Sequence, residues 1–327
     1  MTLLNLPLPL LLFTTLLPVL PATTALTTYQ PPLIIWHGLG DNYKNPSLTT
    51  LINQTNTIHP NTSVHLIHLG ETPAADTQAT FFGNLTDQLT HVCNTLSTHP
   101  VLSSAPEVNA LGFSQGGQFL RAYIERCNSP PVRNLVTFGS QHNGITEFQE
   151  CGSWDFLCRS GEAILESGKW SPLVQGGFVP AQYFRDPAAL DGLGEYLRNS
   201  NFLADVNNER ELKNSTYMKN LARVRKFVMY MFEEDQLVHP KESAWFAEVN
   251  ATTGEVTPLE ERRLYTEDWI GLKGVAERGG LVFRTAPGGH MQIGEGLMRE
   301  TIREFFGPVQ RDEEDGEGEE RVLIKQG

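Results

Sequence analysis

Gly112-Phe113-Ser114-Gln115-Gly116 sets a serine midway between two glycines. A serine becomes a useful nucleophile when a neighbouring base can take its proton and a third group orients that base. The chain holds nine histidines. Seven of them (His37, His59, His65, His68, His91, His99 and His142) precede its last third, leaving His239 and His290. His239 lies beside Pro240 at the start of a helical stretch, whereas His290 follows a strand-like run in the glycine-rich Pro287-Gly288-Gly289 loop. A loop of that kind lets an imidazole reach the serine, so His290 is the preferred base. The orienting carboxylate comes from Glu233, Glu234 or Asp235, adjacent acids of which two must be ordinary solvated side chains. Asp235 begins the turn and has the shorter, stiffer side chain.

These residues need elements to hold them. The run 107–111 before Ser114 reads as a buried strand. After it, Phe119, Leu120, Tyr123, Ile124 and Cys127 share one helical face. Strand, sharp turn and helix are the context of a nucleophile elbow, which aims the serine at a helix N-terminus that favours negative charge. A bare G-x-S-x-G arises by chance in roughly one chain in ten of this length, so the context carries the weight. Leu33–Trp36 is a continuous apolar run, as in a parallel strand covered on both faces, and His37-Gly38-Leu39-Gly40 follows it at once. In serine hydrolases of the α/β type such a loop gives one backbone N–H to the oxyanion hole. That assigns the donors to Leu39 and Gln115. His37 reads as a structural histidine anchoring the loop.

Further strands are expected at 64–68, 134–139, 225–232 and 281–284, with a helix over 86–96. The acid and the base follow the last two strands, giving the order Ser…Asp…His of the α/β-hydrolases. The fold class is therefore α/β, an α/β-hydrolase with a doubly wound, mostly parallel sheet. Residues 143–221 break the alternation and read as a largely helical cap, the kind of insertion that shapes a substrate pocket.

Composition narrows the setting. The 327 residues are 40% hydrophobic and 19% charged, with a formal net charge of −13. Seven acids and no base fall in 312–320, so the rest is only mildly acidic. No basic patch interleaved with aromatics points to a nucleic acid. Residues 1–25, with a leucine-rich run and small residues after Pro21, read as a secretory signal lacking a basic start. Sequons at Asn53, Asn61, Asn84, Asn214 and Asn250 agree. Four cysteines would pair in an oxidising compartment, with three connectivities open. Cys151 and Cys158 are near enough in sequence to close a small loop, which leaves Cys93 with Cys127. No C-x-x-C pair suggests zinc. The α/β-hydrolase domain is expected over 30–309, and 310–327 as an acidic disordered tail.

The chain resembles the lysosomal palmitoyl-protein thioesterases, which remove fatty acyl groups from cysteines. The likeness rests on Ile35-Trp36-His37-Gly38-Leu39-Gly40-Asp41, Gly112-Phe113-Ser114-Gln115-Gly116-Gly117, Gly139-Ser140-Gln141-His142-Asn143-Gly144 and Gly289-His290-Met291-Gln292, with stretches at 202–210 and 264–268. These run in the family's order across most of 32–306. The resemblance implies Ser114 as nucleophile, Asp235 as acid, His290 as base, and the Leu39 and Gln115 backbones as oxyanion donors. It supports Cys93–Cys127 and Cys151–Cys158. It implies S-acylated proteins or peptides and long-chain acyl thioesters as substrates, leaves room for peripheral contact with lipid, and calls for no cofactor or metal. Two departures stand out. Leu39 replaces a more usual methionine, and Asn42-Tyr43 stand where the family carries an extra cysteine pair. A secreted lipase or ester hydrolase shares the same chemistry, and an interaction module with an idle triad is the other alternative. The location is the secretory pathway, ending in a lysosome or vacuole or outside the cell.

Overall fold

A computed structural model describes residues 26–147, 168–188 and 193–312. The expected signal at 1–25 and the Cys151/Cys158 pair lie outside the described residues. Six strands form one sheet: β2 (Leu33–Trp36), β3 (Val64–Leu66), β4 (Val108–Phe113), β5 (Val132–Phe138), β6 (Lys226–Phe232) and β9 (Leu281–Ala286). Their order is β3-β2-β4-β5-β6-β9, and every neighbouring pair is parallel. With the intervening helices, this is the α/β-hydrolase architecture.

Alternation along the strands divides the apolar residues between two cores. Ile34, Trp36, Leu135, Phe227 and Met229 join one face, with α3 (Leu85–Thr98) and α4 (Gln115–Arg126). Leu33, Ile35, Val136, Val228 and Tyr230 join the other, with α1 (Pro46–Ile58) and the helix Glu295–Phe305. That last helix turns Met298, Ile302 and Phe305 inward, at spacings of four and three residues. Helix α4 is buried from Gln115 to Glu125, because the sheet lies on one side and the helix Ser215–Leu221 on the other. The C-terminal end of α4 is tied down by a disulfide between Cys93 of α3 and Cys127 at the α4 C-cap.

Strand order explains where a site can form. The chain runs from β2 outward to β3, then crosses back to β4 on the other side of β2. The reversal leaves a crevice beyond the carboxyl ends of β2 and β4, where ligands of open α/β sheets bind. Trp36 pairs with Gly112, Phe113 with Phe138, Phe138 with Tyr230, and Phe232 with Ala286. The turns after β2, β4, β5, β6 and β9 therefore reach the same edge.

Between β5 and β6 the described residues form short helices at Pro172–Gly177, Gly194–Asn199, Leu203–Val206 and Ser215–Leu221, with a 3-10 turn at Val179–Tyr183. Among the described residues this stretch makes two isolated bridges, Phe178 with Phe82 and Phe184 with Ile145, and no named strand. Helix α2 (Pro73–Phe81), capped by Thr72, had no periodic signal strong enough to be expected. The tail departs from expectation at its start. Residues 310–312 were expected to be disordered. Instead β10 (Val309–Asp312) pairs antiparallel with β1 (Leu26–Tyr29), Tyr29 opposite Val309. The threonines of β1 suit a strand, and the acidic composition that signals disorder begins only as β10 ends. This ribbon is a compact unit separate from 30–308. Residues 313–327 lie outside the described residues. No described helix is long and apolar enough to cross a membrane.

Candidate active site

Ser114 sits between β4 and α4 with φ 52° and ψ −126°, a conformation that side chains rarely adopt. Its own N–H donates to Phe138 O at 2.8 Å, and its carbonyl accepts from Gly117 N at 3.1 Å. The glycines make this turn possible. A Cβ on Gly112 would lie 2.2 Å from the Gly117 Cα, and one on Gly116 would lie 2.3 Å from Trp36 O.

The structure brings Ser114, His290 and Asp235 into one chain of hydrogen bonds. Ser114 Oγ is 3.0 Å from His290 Nε2, and His290 Nδ1 is 2.7 Å from Asp235 Oδ2. The Asp235 side chain is only 2% exposed. Its other oxygen, Oδ1, accepts from the backbone N–H groups of Leu237 and Val238 at 2.9 and 3.0 Å. A carboxylate fixed this way accepts from the Nδ1–H and leaves Nε2 free to accept from the serine. The His290 loop is held from both ends: Glu234 N donates to Gly288 O, and Gly289 N donates to Gln292 Oε1. Phe232 packs edge-on against the imidazole at 5.9 Å.

The competing residues stand elsewhere. Glu233 and Glu234 are exposed. His239 is 56% exposed and lies 3.8 Å from Glu147. His142, in the Gly139–Gly144 motif, is fully buried, bonds Thr137 Oγ1 through Nε2 and stacks on Phe246. Burial first, and Arg121 second, hold it well below its ordinary pKa, so it is a neutral core histidine.

His37 anchors its loop through a partner that sequence reasoning missed. Its Nε2 donates to Asp76 Oδ2 at 2.8 Å. Asp76 is fully buried on α2 and also accepts from Tyr43 N and Leu69 N. Burial pushes the Asp76 carboxyl up, but His37 and the Leu69 and Tyr43 N–H groups outweigh it and hold the pKa below its usual value. Tyr43 also packs on His68 and donates to Glu71 O. The Asn42-Tyr43 segment is thus held by a buried carboxylate. Gln115, as the first residue of α4, has an N–H with no helical acceptor. Leu39 is 41% exposed at the tip of the facing loop. A Cβ on Gly38 would lie 3.1 Å from the Ser114 Cβ, so glycine lets this backbone approach the serine.

Ser114 and His290 open onto a groove of about 780 Å³. Helix α1 contributes Leu48 and Leu51, and the end of α2 contributes Phe81 and Phe82. Met291, Ile293 and Met298 also line it, as do Leu237 and Val238. Among the described residues, Ile145, Phe178, Pro180 and Tyr183 are the part supplied by the β5–β6 insertion. The sequence reading expected that insertion to shape the pocket. Among the described residues, α1, α2 and the His290 loop supply at least as much of the wall. Among the described residues no group of three His, Cys, Asp or Glu side chains could hold a metal ion.

The chain is similar to proteins already known. The model of the family described as palmitoyl protein thioesterase matches residues 32–290. Palmitoyl-protein thioesterase 1 of Caenorhabditis elegans is 36% identical over 282 residues, covering 85% of this chain and 93% of its own. A palmitoyl-protein thioesterase-dolichyl pyrophosphate phosphatase fusion of Schizosaccharomyces pombe is 34% identical over 281 residues, covering 85% of this chain and 44% of its own. Lysosomal thioesterase PPT2 of Rattus norvegicus is 30% identical over 274 residues, covering 82% and 83%.

Proposed function

Because the chain belongs to the palmitoyl protein thioesterase family, we propose that it hydrolyses long-chain acyl thioesters on the cysteines of proteins or peptides, with Ser114 as nucleophile. The observation that carries this reading is the Ser114–His290–Asp235 chain opening onto a deep groove with mostly apolar walls. Ser114 Oγ attacks the thioester carbonyl carbon while its proton passes to His290 Nε2. Asp235 steadies the imidazolium without taking the proton. The carbonyl π electrons move onto oxygen, which accepts from the Leu39 and Gln115 N–H groups. When the carbonyl re-forms, the C–S bond breaks and the sulfur takes the proton held by His290. A cysteine thiol has a pKa of about 8.5, so its departure needs less help than an alkoxide's. Water then gives a proton to His290 and attacks the acyl-serine carbonyl; as that carbonyl re-forms, the C–Oγ bond breaks, Ser114 Oγ takes the proton back from His290, and the fatty acid leaves.

Apolar walls suit a long chain. At about 0.8 kcal/mol per buried CH₂, a sixteen-carbon acyl group gains at most on the order of 10 kcal/mol. Residues 1–25 are proposed as a cleaved secretory signal, and the five sequons as glycan sites. Asn53, Asn61, Asn214 and Asn250 are exposed, whereas Asn84 is half-buried and caps α3. The Cys93–Cys127 disulfide and relatives named lysosomal support delivery through the secretory pathway to a lysosome or vacuole.

The test is release of palmitate from a palmitoyl-cysteine peptide and from the matching oxygen ester. Wild type should favour the thioester, and Ser114→Ala should lose at least about 10³-fold in kcat. Equal turnover in the variant, or preference for the oxygen ester, overturns the reading.

A further inference from the structure

The two proposed oxyanion donors sit on separate segments, a glycine loop and a helix N-terminus, yet one buried residue touches both. Thr80 is in the last turn of α2 and only 3% exposed. Its hydroxyl donates to Thr77 O at 2.6 Å, so the oxygen's lone pairs face outward from the helix. There they accept from Gly40 N at 2.9 Å, the residue next to Leu39. The Thr80 carbonyl is among those left without a partner at a helix C-terminus. It accepts from the Gln115 side-chain Nε2 at 3.3 Å. The other end of that amide, Gln115 Oε1, accepts from Tyr183 OH at 3.2 Å. One residue therefore bonds the segment carrying each donor, and a groove-wall tyrosine completes the set.

We propose that Thr80 is a positioning residue that fixes the separation and direction of the Leu39 and Gln115 N–H groups for the transition-state oxyanion. The proposal rests on the hydrolase reading above. Asp76, one turn earlier on the same face of α2, holds the base of the same loop through His37. Helix α2 thus holds the loop through Asp76, Thr77 and Thr80, and of these Thr80 also reaches Gln115. A loop displaced by about an ångström still admits the acyl chain but no longer meets the developing charge.

Three variants decide it. Thr80→Val keeps the branched shape but loses the acceptor for Gly40 N–H, whereas Thr80→Ser keeps it. In Thr80→Val, kcat for the palmitoyl-cysteine peptide should fall roughly 10- to 100-fold while KM stays within about threefold. Affinity for a palmityl trifluoromethyl ketone, whose serine adduct bears an oxyanion, should fall by the same factor. Affinity for hexadecanol, which carries the chain but no carbonyl, should not change. Thr80→Ser should stay within about threefold of wild type on every measure. A kcat within about threefold of wild type in Thr80→Val overturns the proposal, as does equal weakening of ketone and alcohol, or equal impairment in Thr80→Ser. If Thr80→Val does not fold, the ketone-to-alcohol affinity ratio in Thr80→Ala against Thr80→Ser gives the same decision. The two readings separate cleanly. Turnover abolished in Ser114→Ala but normal in Thr80→Val overturns the clamp alone, whereas a wild type without turnover overturns both.

Discussion

Asp235 is the residue whose role depends most on its surroundings. Three acids stand in a row, and only one turns inward. The difference is made by the turn after β6, where the N–H groups of Leu237 and Val238 grip Asp235 Oδ1 and leave Oδ2 for His290. Asp235→Asn keeps the shape but presents an amide that can donate to Nδ1. The imidazole is then driven to the tautomer with its proton on Nε2, which cannot accept from Ser114. The expected outcome is a kcat loss on the order of 10³- to 10⁴-fold with KM little changed, read in the thioester assay. The sequence could rank these acids by side-chain length and place in the turn. It could rank His290 over His239 because a glycine-rich loop after a strand differs from a proline-flanked helix start. It had no means of finding Asp76 or Thr80. Each is an ordinary polar residue in a weakly patterned helix, and its importance comes from bonds to chain 33 to 40 residues away.

At the scale of elements, the legible parts are those whose pattern is local. Strands buried on both faces read as runs rich in apolar residues, so β2, β4, β5 and β6 could be placed within a residue or two. Helix α3 runs from Leu85 to Thr98, slightly beyond the expected 86–96, because Asn84 caps it on one side. Helices α1 and α2 were not legible. Threonines and polar residues fill α1, and α2 offers few apolar positions for a periodicity to form. The disulfide tests how far one element depends on another. Cys93 and Cys127 close a loop over a sequence separation of 34, containing the elbow strand and α4. Loop-closure entropy for that length corresponds to about 3–4 kcal/mol of stability. Replacing both cysteines with alanine should lower the unfolding free energy by about that amount in urea titrations, with the catalytic geometry retained in the folded fraction. A loss well under 1 kcal/mol would mean that the reduced chain already holds α3 against α4 when unfolded.

For the whole molecule, the β5–β6 insertion must be fixed to the hydrolase core for its groove residues to serve the triad, and a buried ionic cluster joins them. Glu209 lies between Arg185, 3.0 Å away, and Arg262, 3.4 Å away, and accepts from the Tyr196 hydroxyl. Arg185 reaches Glu248 as well, and Arg262 donates to Phe246 O. Residues 185, 196 and 209 come from the insertion, while 248 and 262 follow β6, so no stretch of sequence shows the cluster. Burial pushes the Glu209 carboxyl up, but Arg185 and then Arg262 outweigh it and bring the pKa below the ordinary 4.5. A carboxyl whose folded pKa is depressed contributes stability above its unfolded pKa and loses it as pH falls through the folded value. The cluster therefore stays charged at the mild acidity of a lysosome, about pH 5, and fails only below the ordinary carboxylate range. Glu209→Gln leaves two guanidinium groups buried with one remaining partly exposed carboxylate, Glu248, between them. Removal of one partner from such a buried set costs about 3–5 kcal/mol. The variant should unfold earlier than wild type at every pH from 7 to about 5, with a near-constant gap, and the gap should narrow below about pH 4 as the wild-type carboxyl protonates. Thermal unfolding across that range reads the gap directly. A gap that closes already near pH 6 would show that Glu209 is not held as an anion between the two arginines.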